Sequence, residues 1–194
     1  MPVLPDYSIV LASGSPYRRE LLERLGLPFE TWTPHVDETP LRGEVPARTA
    51  TRLARAKADA ARERWPQALV IGSDQVAELD GAPIGKPGTR EAARAQLARC
   101  SGRSVLFHTA VCLLGARAQE RLVTTPVEFR PLAADEIERY LDREDALDCA
   151  GSAKSEGLGI ALLARLAGDD PTALVGLPLI TVAAMLRAEG VAVP

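Results

Sequence analysis

The sequence predicts an α/β protein with a mixed, twisted sheet flanked by helices, and three patterns carry that expectation. Apolar runs at residues 8–13 and 68–72 alternate with helical patterns, the order that builds parallel strand pairs. Residues 104–114 and 120–130 read instead as an antiparallel pair joined at Gly115-Ala116-Arg117. The composition suits such a fold: of 194 residues, 46% are apolar, 25% charged and only 4% aromatic, so the core rests on Leu, Val and Ala. That length fits one domain, read as 1–194, or at most two lobes sharing a core.

Taken in order, Ser8-Ile-Val-Leu-Ala-Ser13 is a buried strand ending in small polar residues. Gly14-Ser15-Pro16 opens a helix, with Ser15 as N-cap and Pro16 at the first helical position, where no N–H is needed. Leu21, Leu22 and Leu25 form its apolar stripe, and Gly26 ends it. Residues 29–33 read as a second strand and 36–40 as a Pro-bounded loop. Pro46 starts a long Ala- and Arg-rich helix reaching about Trp65, with Leu53 and the alanines facing inward. The apolar strand 68–72 runs straight into Ser73-Asp74-Gln75, and 81–88 reads as a loop around Gly85-Lys86-Pro87. A helix follows from about Thr89 to Cys100. Beyond the strand pair, 134–141 is a helix with Asp135 and Glu136 in its first turn, where negative charge suits the helix dipole. Residues 149–159 are loop-like with three glycines, 160–166 a short strand or helix, and 179–189 a terminal helix.

The charge balance excludes some functions. A net charge of −3 offers no global basic field for nucleic acid. Residues 1–9 lack the basic flank and long apolar run of a signal peptide. The longest charge-free stretch, 171–186, contains Pro178 and is too short to cross a bilayer. Cys100, Cys112 and Cys149 are odd in number and widely spaced, and read as buried thiols in a reducing cytoplasm.

Lysine usage is the most informative figure. The chain has twenty arginines but only Lys57, Lys86 and Lys154. Arg serves wherever a surface needs positive charge, but not where a compact, rotatable ammonium must meet a phosphate oxygen in a tight loop. All three lysines are therefore candidates, although Lys154 has no role beyond its proximity to Glu156. The segment Leu11-Ala-Ser-Gly-Ser-Pro-Tyr-Arg-Arg19 puts serines and backbone amides at a strand-to-helix junction, a ready anion site with Arg18 poised to clamp a phosphate. No Gly-Lys-Ser/Thr follows, so it is not a Walker loop. Asp74, expected just past the carboxyl end of its strand, can hold a divalent ion or take a proton from water, and Glu38 can supply a second oxygen ligand. Two acids, two lysines, an arginine and a serine-capped helix suit a metal-bound polyphosphate. His35 and His108 read as structural, and no Gly-x-Ser-x-Gly elbow supports a serine hydrolase.

Leu11–Arg19, Val36-Asp-Glu38, Gly72-Ser-Asp-Gln75, Gly85-Lys-Pro87 and Ala150-Gly-Ser-Ala-Lys-Ser-Glu-Gly157 resemble the Maf family in order and spacing, from about residue 8 to 186. The resemblance implies a nucleoside triphosphate pyrophosphatase that cleaves between the α- and β-phosphates with a divalent cation such as Mg²⁺ or Mn²⁺. It also implies an elongated sheet in two lobes around a cleft, related to inosine triphosphate pyrophosphatases and often dimeric. By motif, Asp74 is the proton acceptor, Glu38 and Asp74 bind the metal, and Ser13, Arg18, Lys57 and Lys86 hold the triphosphate.

Tyr17, Gln75 and Glu156 look like the specificity positions of the branch acting on 7-methyl-GTP; the dTTP/UTP branch has Ser-Pro-Arg-Arg first and Ile-Gln-Gly near the end. The chemistry agrees, since one carboxylate can accept two guanine N–H donors, whereas the carbonyls flanking the thymine or uracil N–H would repel it. N7-methylation adds a positive charge that favours an aromatic face. Some family members carry the larger Trp where this chain has Tyr17. A broader house-cleaning pyrophosphatase and a non-catalytic nucleotide sensor linked to septum formation are the alternatives.

Overall fold

The computed structural model describes residues 8–194, so the reading of the first seven residues lies outside it. Seven strands form one mixed sheet: β1 (Ile9–Ala12), β2 (Glu30–Trp32), β3 (Leu69–Leu79), β4 (Ala82–Ile84), β5 (Ser104–Leu114), β6 (Ala118–Phe129) and β7 (Leu163–Leu166). Their order is β2-β1-β3-β5-β6-β7, with β4 paired to β3. The helices are α1 (Pro16–Glu23), α2 (Pro46–Arg64), α3 (Arg90–Cys100), α4 (Ala134–Leu141) and α5 (Leu179–Ala188). β1 runs parallel to both β2 and β3, whereas β3–β4 and β6–β7 are antiparallel, as the mixed-sheet expectation requires. β5 and β6 are neighbours joined by residues 115–117, a connection too short for any but antiparallel strands. Among the described residues no helix is long and apolar enough to cross a membrane.

The chain forms two compact units. The first takes in the described residues up to Gln75, residues 109–123 and residues 170–194; the second comprises 76–108 and 124–169. In the first unit, Ile9, Leu11, Leu69, Ile71, Val111 and Leu113 pack against Leu21 and Leu22 of α1 and Leu179, Val182 and Leu186 of α5. Ala50, Leu53, Ala54, Ala58 and Ala61 give α2 its buried face. In the second unit, Ala93, Leu97 and Cys100 of α3 and Ile137 and Tyr140 of α4 are buried.

Local sequence signals explain most of these elements. Ser15 caps α1 through its side chain and Pro16 follows it, while Thr89 accepts the Ala92 amide at the start of α3. Three expectations need correction. β3 does not stop at residue 72 but continues to Leu79, because Ser73 and Asp74 are both buried with partners rather than solvated. Asp74 therefore lies within β3, though beyond the last pairing with β1, Ala12 to Gly72. Residues 81–88 are not all loop, since Ala82–Ile84 pairs back on β3 across Asp80 (φ 53°) and Gly81 (φ 79°). Consecutive positive φ angles mark the tight hairpin turn that Asp-Gly favours. Cys149 is only half-buried, unlike Cys100 and Cys112. Residues 158–166 contain both a 3₁₀ turn (Leu158–Leu162) and β7.

One contact governs how α2 lies on β3. A Cβ at Gly72 would press into the Ala54 carbonyl and stand 2.7 Å from the Ala58 amide nitrogen and 2.9 Å from the Ala58 Cβ. The first two are backbone atoms of a long helix and cannot yield cheaply. Gly72→Ala is expected to cost about 2 kcal/mol and lower Tm by roughly 4–8 °C in thermal melts.

Candidate active site

Lys57 lies between the two acids singled out by sequence. Its Nζ is 2.6 Å from Asp74 Oδ1 and 2.6 Å from Glu38 Oε1. Lys57 and Asp74 are each 7% exposed, while the Glu38 side chain is 61% exposed. Lys57 stands between Ala54 and Ala58 on the buried face of α2, so the close approach at Gly72 brings its ammonium to β3. The loop carrying Glu38 is tied down by Arg52, whose guanidinium donates two 2.8 Å hydrogen bonds to Glu44 and one of 3.1 Å to the Thr39 carbonyl. Those bonds hold the Glu44 carboxyl at about 2. Burial pushes the Asp74 carboxyl above its usual range, and the charges of Lys57 and Arg18 oppose that rise only in part.

Ser13 and Arg18 meet at the N-terminal start of α1, with Arg18 in the field of Asp74 and Glu38. Ser13 Oγ accepts the Ser15 amide at 3.2 Å and Arg18 Nη1 at 3.3 Å. Ser15 Oγ takes the Arg18 amide at 3.4 Å, and Pro16 has no N–H. The expected anion site built from free helix amides is corrected accordingly. The serines already occupy two of those amides, leaving the Ser13 hydroxyl hydrogen and the rest of the Arg18 guanidinium to meet an anion.

Sequence reasoning missed the segment that anchors Arg18. Arg18 Nε donates to the Gly176 carbonyl at 2.8 Å, and Ser73 Oγ lies 3.0 Å from the same oxygen. Residues 170–176 form a strap whose start is fixed at α5. Asp170, 3% exposed, accepts Thr172 N and Oγ1 through Oδ1 and the Ile180 amide through Oδ2. Thr172 Oγ1 accepts the Leu179 amide, so the strap caps a helix whose own N-cap, Pro178, has no capping side chain. The spacing Asp170-x-Thr172, with Gly176-Leu-Pro178 behind it, was the available signal. Gln75, expected beside the base, places its side-chain amide nitrogen 2.9–3.0 Å from Thr109 Oγ1, Ala173 O and Leu174 O, so that its two N–H groups are shared among three acceptors. Tyr17 is half-buried on α1.

Lys86 and Glu156 belong to the second unit, and both are exposed. Lys86 lies in the coil after β4, near the carbonyl of Gly85 that accepts from Gln96. Glu156 sits on a turn held from both sides: the Lys154 amide donates to Tyr140 Oη at 3.1 Å and the Leu158 amide to Glu144 at 2.8 Å. Lys154 Nζ is 3.5 Å from Glu144, which gives this third lysine a structural place. His108 is pinned between Glu78 (2.9 Å) and Thr124 (3.0 Å), in keeping with a structural histidine.

Glu38 Oε1 and Asp74 Oδ1 are hard oxygen atoms that both meet the Lys57 ammonium, and Asp74 Oδ2 accepts no hydrogen bond from a described residue. Two such carboxylates suit Mg²⁺ or Mn²⁺, which take their remaining ligands from water and phosphate. Among the described residues no group of three His, Cys, Asp or Glu is placed to hold a metal ion.

Because burial raises its folded-state pKa, Asp74 favours the folded state only where it is protonated, and that contribution is lost as pH rises through the folded value. Asp74→Asn, which resembles the protonated form, is therefore expected to match or exceed the wild-type Tm at pH 7. The difference should narrow as pH falls toward 4. A drop of several degrees at pH 7 would contradict this balance.

The sequence model of the Maf-like protein family matches residues 8–189. A protein of Aromatoleum aromaticum named 7-methyl-GTP pyrophosphatase is 61% identical, over 96% of this chain and 97% of its own. One of the same name from Xanthomonas campestris pv. campestris is 59% identical over 96% and 98%. A solved nucleoside-triphosphatase (dITP/XTP pyrophosphatase) from Mycobacterium abscessus aligns with a TM-score of 0.44 at 17% identity, over 94% of this chain and 95% of that one. With a family match over nearly its whole length and relatives at about 60% identity, the chain belongs to the Maf-like protein family.

Proposed function

We propose that this chain is a single nucleotide pyrophosphatase domain that hydrolyses 7-methyl-GTP to 7-methyl-GMP and pyrophosphate. The observation that carries the reading is the buried Asp74 carboxylate, set against Lys57 and within the field of Arg18, in a chain about 60% identical to proteins bearing that activity's name. In this mechanism Asp74 accepts a proton from water at Oδ2 while the water oxygen bonds to phosphorus and the bridging Pα–O–Pβ bond breaks. The electron pair leaves with pyrophosphate. A raised pKa suits the task, since a more basic carboxylate accepts the proton more readily.

Lys57 holds the Asp74 and Glu38 carboxylates together and offers its ammonium to phosphate oxygens, with Ser13, Arg18 and Lys86 sharing that charge. Glu38 and Asp74 would hold a divalent cation, which when bound polarises the phosphoryl group. Tyr17 and Glu156 are the groups for the base: a ring face for the methylated, positively charged purine and a carboxylate for its N–H donors. The firmly tied turn around Glu156 supports that assignment, because a reader must be held in place to discriminate.

Pyrophosphate release should be measured with 7-methyl-GTP, GTP, dTTP, UTP and CTP in Mg²⁺ or Mn²⁺. Strong preference for 7-methyl-GTP is expected, and Asp74→Asn should lower kcat by at least about 10²-fold. Preference for dTTP or UTP would refute the substrate assignment, and full activity in Asp74→Asn would refute the base. Glu156→Gln is expected to flatten the preference without abolishing turnover; an unchanged ranking of the five nucleotides removes Glu156 as the base reader.

A further inference from the structure

We propose that Gln75, with Thr109 and Ser73, is a positioning residue for the phosphate end of the substrate: these side chains clamp the 170–176 strap so that the Gly176 carbonyl holds Arg18 in place. The inference rests on the pyrophosphatase reading of the site, but departs from a base-reading role for Gln75.

Gln75 follows Asp74 on β3, so the two side chains leave opposite faces of the strand. Asp74 faces Lys57 of α2, whereas Gln75 faces the strap. The amide orientation is forced by its neighbours. Ala173 O and Leu174 O, at 3.0 and 2.9 Å, accept only, so the nitrogen and not the oxygen must face them. Thr109, fully buried, completes the clamp: its hydroxyl donates to Ala173 O at 2.8 Å and accepts from Gln75 Nε2 at 2.9 Å. Ser73, also fully buried, reaches Gly176 O at 3.0 Å and Ala110 O at 2.8 Å. Three side chains from β3 and β5 thus bind carbonyls at three of the four positions from 173 to 176.

The strap passes this order to Arg18 through one atom. Gly176 O receives Arg18 Nε at 2.8 Å, and the guanidinium lies along Gly176 itself, where a Cβ would stand 3.4 Å from Nε. Gly176 adopts φ +123°, which a side chain would strain. With Nε on Gly176 and Nη1 on Ser13, the guanidinium is fixed at two corners and keeps N–H groups for an anion. A clasp of this kind lowers the cost of ordering a long side chain when the triphosphate arrives.

Gln75→Met and Thr109→Val remove the amine and the hydroxyl while keeping shape. Each is expected to lower kcat/KM about tenfold, by the same factor for every nucleotide the wild type turns over, and to weaken inorganic pyrophosphate binding in calorimetry. Thr109→Ser should recover most of the loss. In an Arg18→Met background neither change should add a further loss, because both act through Arg18. Losses that differ between bases, or that multiply with that of Arg18→Met, would overturn the inference in favour of direct base contact; unchanged pyrophosphate binding in both variants would overturn it as well. The pyrophosphate titration needs no turnover, so an inactive wild-type chain would count against the pyrophosphatase reading while this comparison still decides. If Gln75→Met fails to fold, the isosteric Thr109→Val carries the same test.

Discussion

The absence of a single methyl group at Gly72 sets the geometry on which the site depends. α2 rests with the Ala54 carbonyl and the Ala58 amide against bare β3 backbone, closer than any side chain would permit. Lys57 is carried on that same turn, and only at this separation does its ammonium reach Asp74 inside the unit. A buried ammonium would be costly alone; here Lys57 is flanked by both Asp74 and Glu38, which offsets part of that cost. The buried alanines of α2 serve the same end, since small side chains let a helix lie low on a sheet.

This arrangement also explains why lysine persists in a chain that otherwise uses arginine. Arginines pair with exposed acids throughout the surface, as in Arg19–Glu23, Arg55–Asp59 and Arg90–Glu138, where planar forks fit and each pair contributes little. Between Glu38 and Asp74 the space admits one nitrogen 2.6 Å from both carboxylates, which a point-like ammonium fills and a guanidinium does not. Arg18 illustrates the opposite requirement. Its fork spans Gly176 and Ser13 at once, which an ammonium could not do with fixed orientation.

Helices were the most legible part of the sequence, because their signals are local: Ser15-Pro16, Pro46, Thr89 and the acidic first turn of α4 all stand where the pattern places them. The length of β3 was not legible. Ser73-Asp74-Gln75 looks like the end of an apolar run, and nothing local reveals the distant partner that each of the three side chains finds. The hairpin at Asp80-Gly81 had a signal that the surrounding glycines obscured. Of the candidate site residues, Lys57, Asp74, Glu38, Ser13 and Arg18 were singled out by residue type and motif, and all five lie in the first unit. The strap's anchor on α5 left the Asp170-x-Thr172 spacing as a signal, but its hold on Arg18, Ser73 and Gln75 was missed because those side chains bond main-chain carbonyls 98 to 158 residues away, and such bonds leave no local pattern.

The cysteines give this protein an internal reporter of its own opening. Cys112 is enclosed in the first unit and Cys100 in the second, and burial raises their thiols to about 12 and about 11. A thiol so placed is almost wholly protonated near neutral pH and shielded from reagents, so it reacts only when the backbone around it opens. Each unit thus carries one fully buried thiol, the second unit holding the half-buried Cys149 as well, and the separate rates at which a disulfide reagent captures Cys100 and Cys112 would read the opening free energy of each half of the chain.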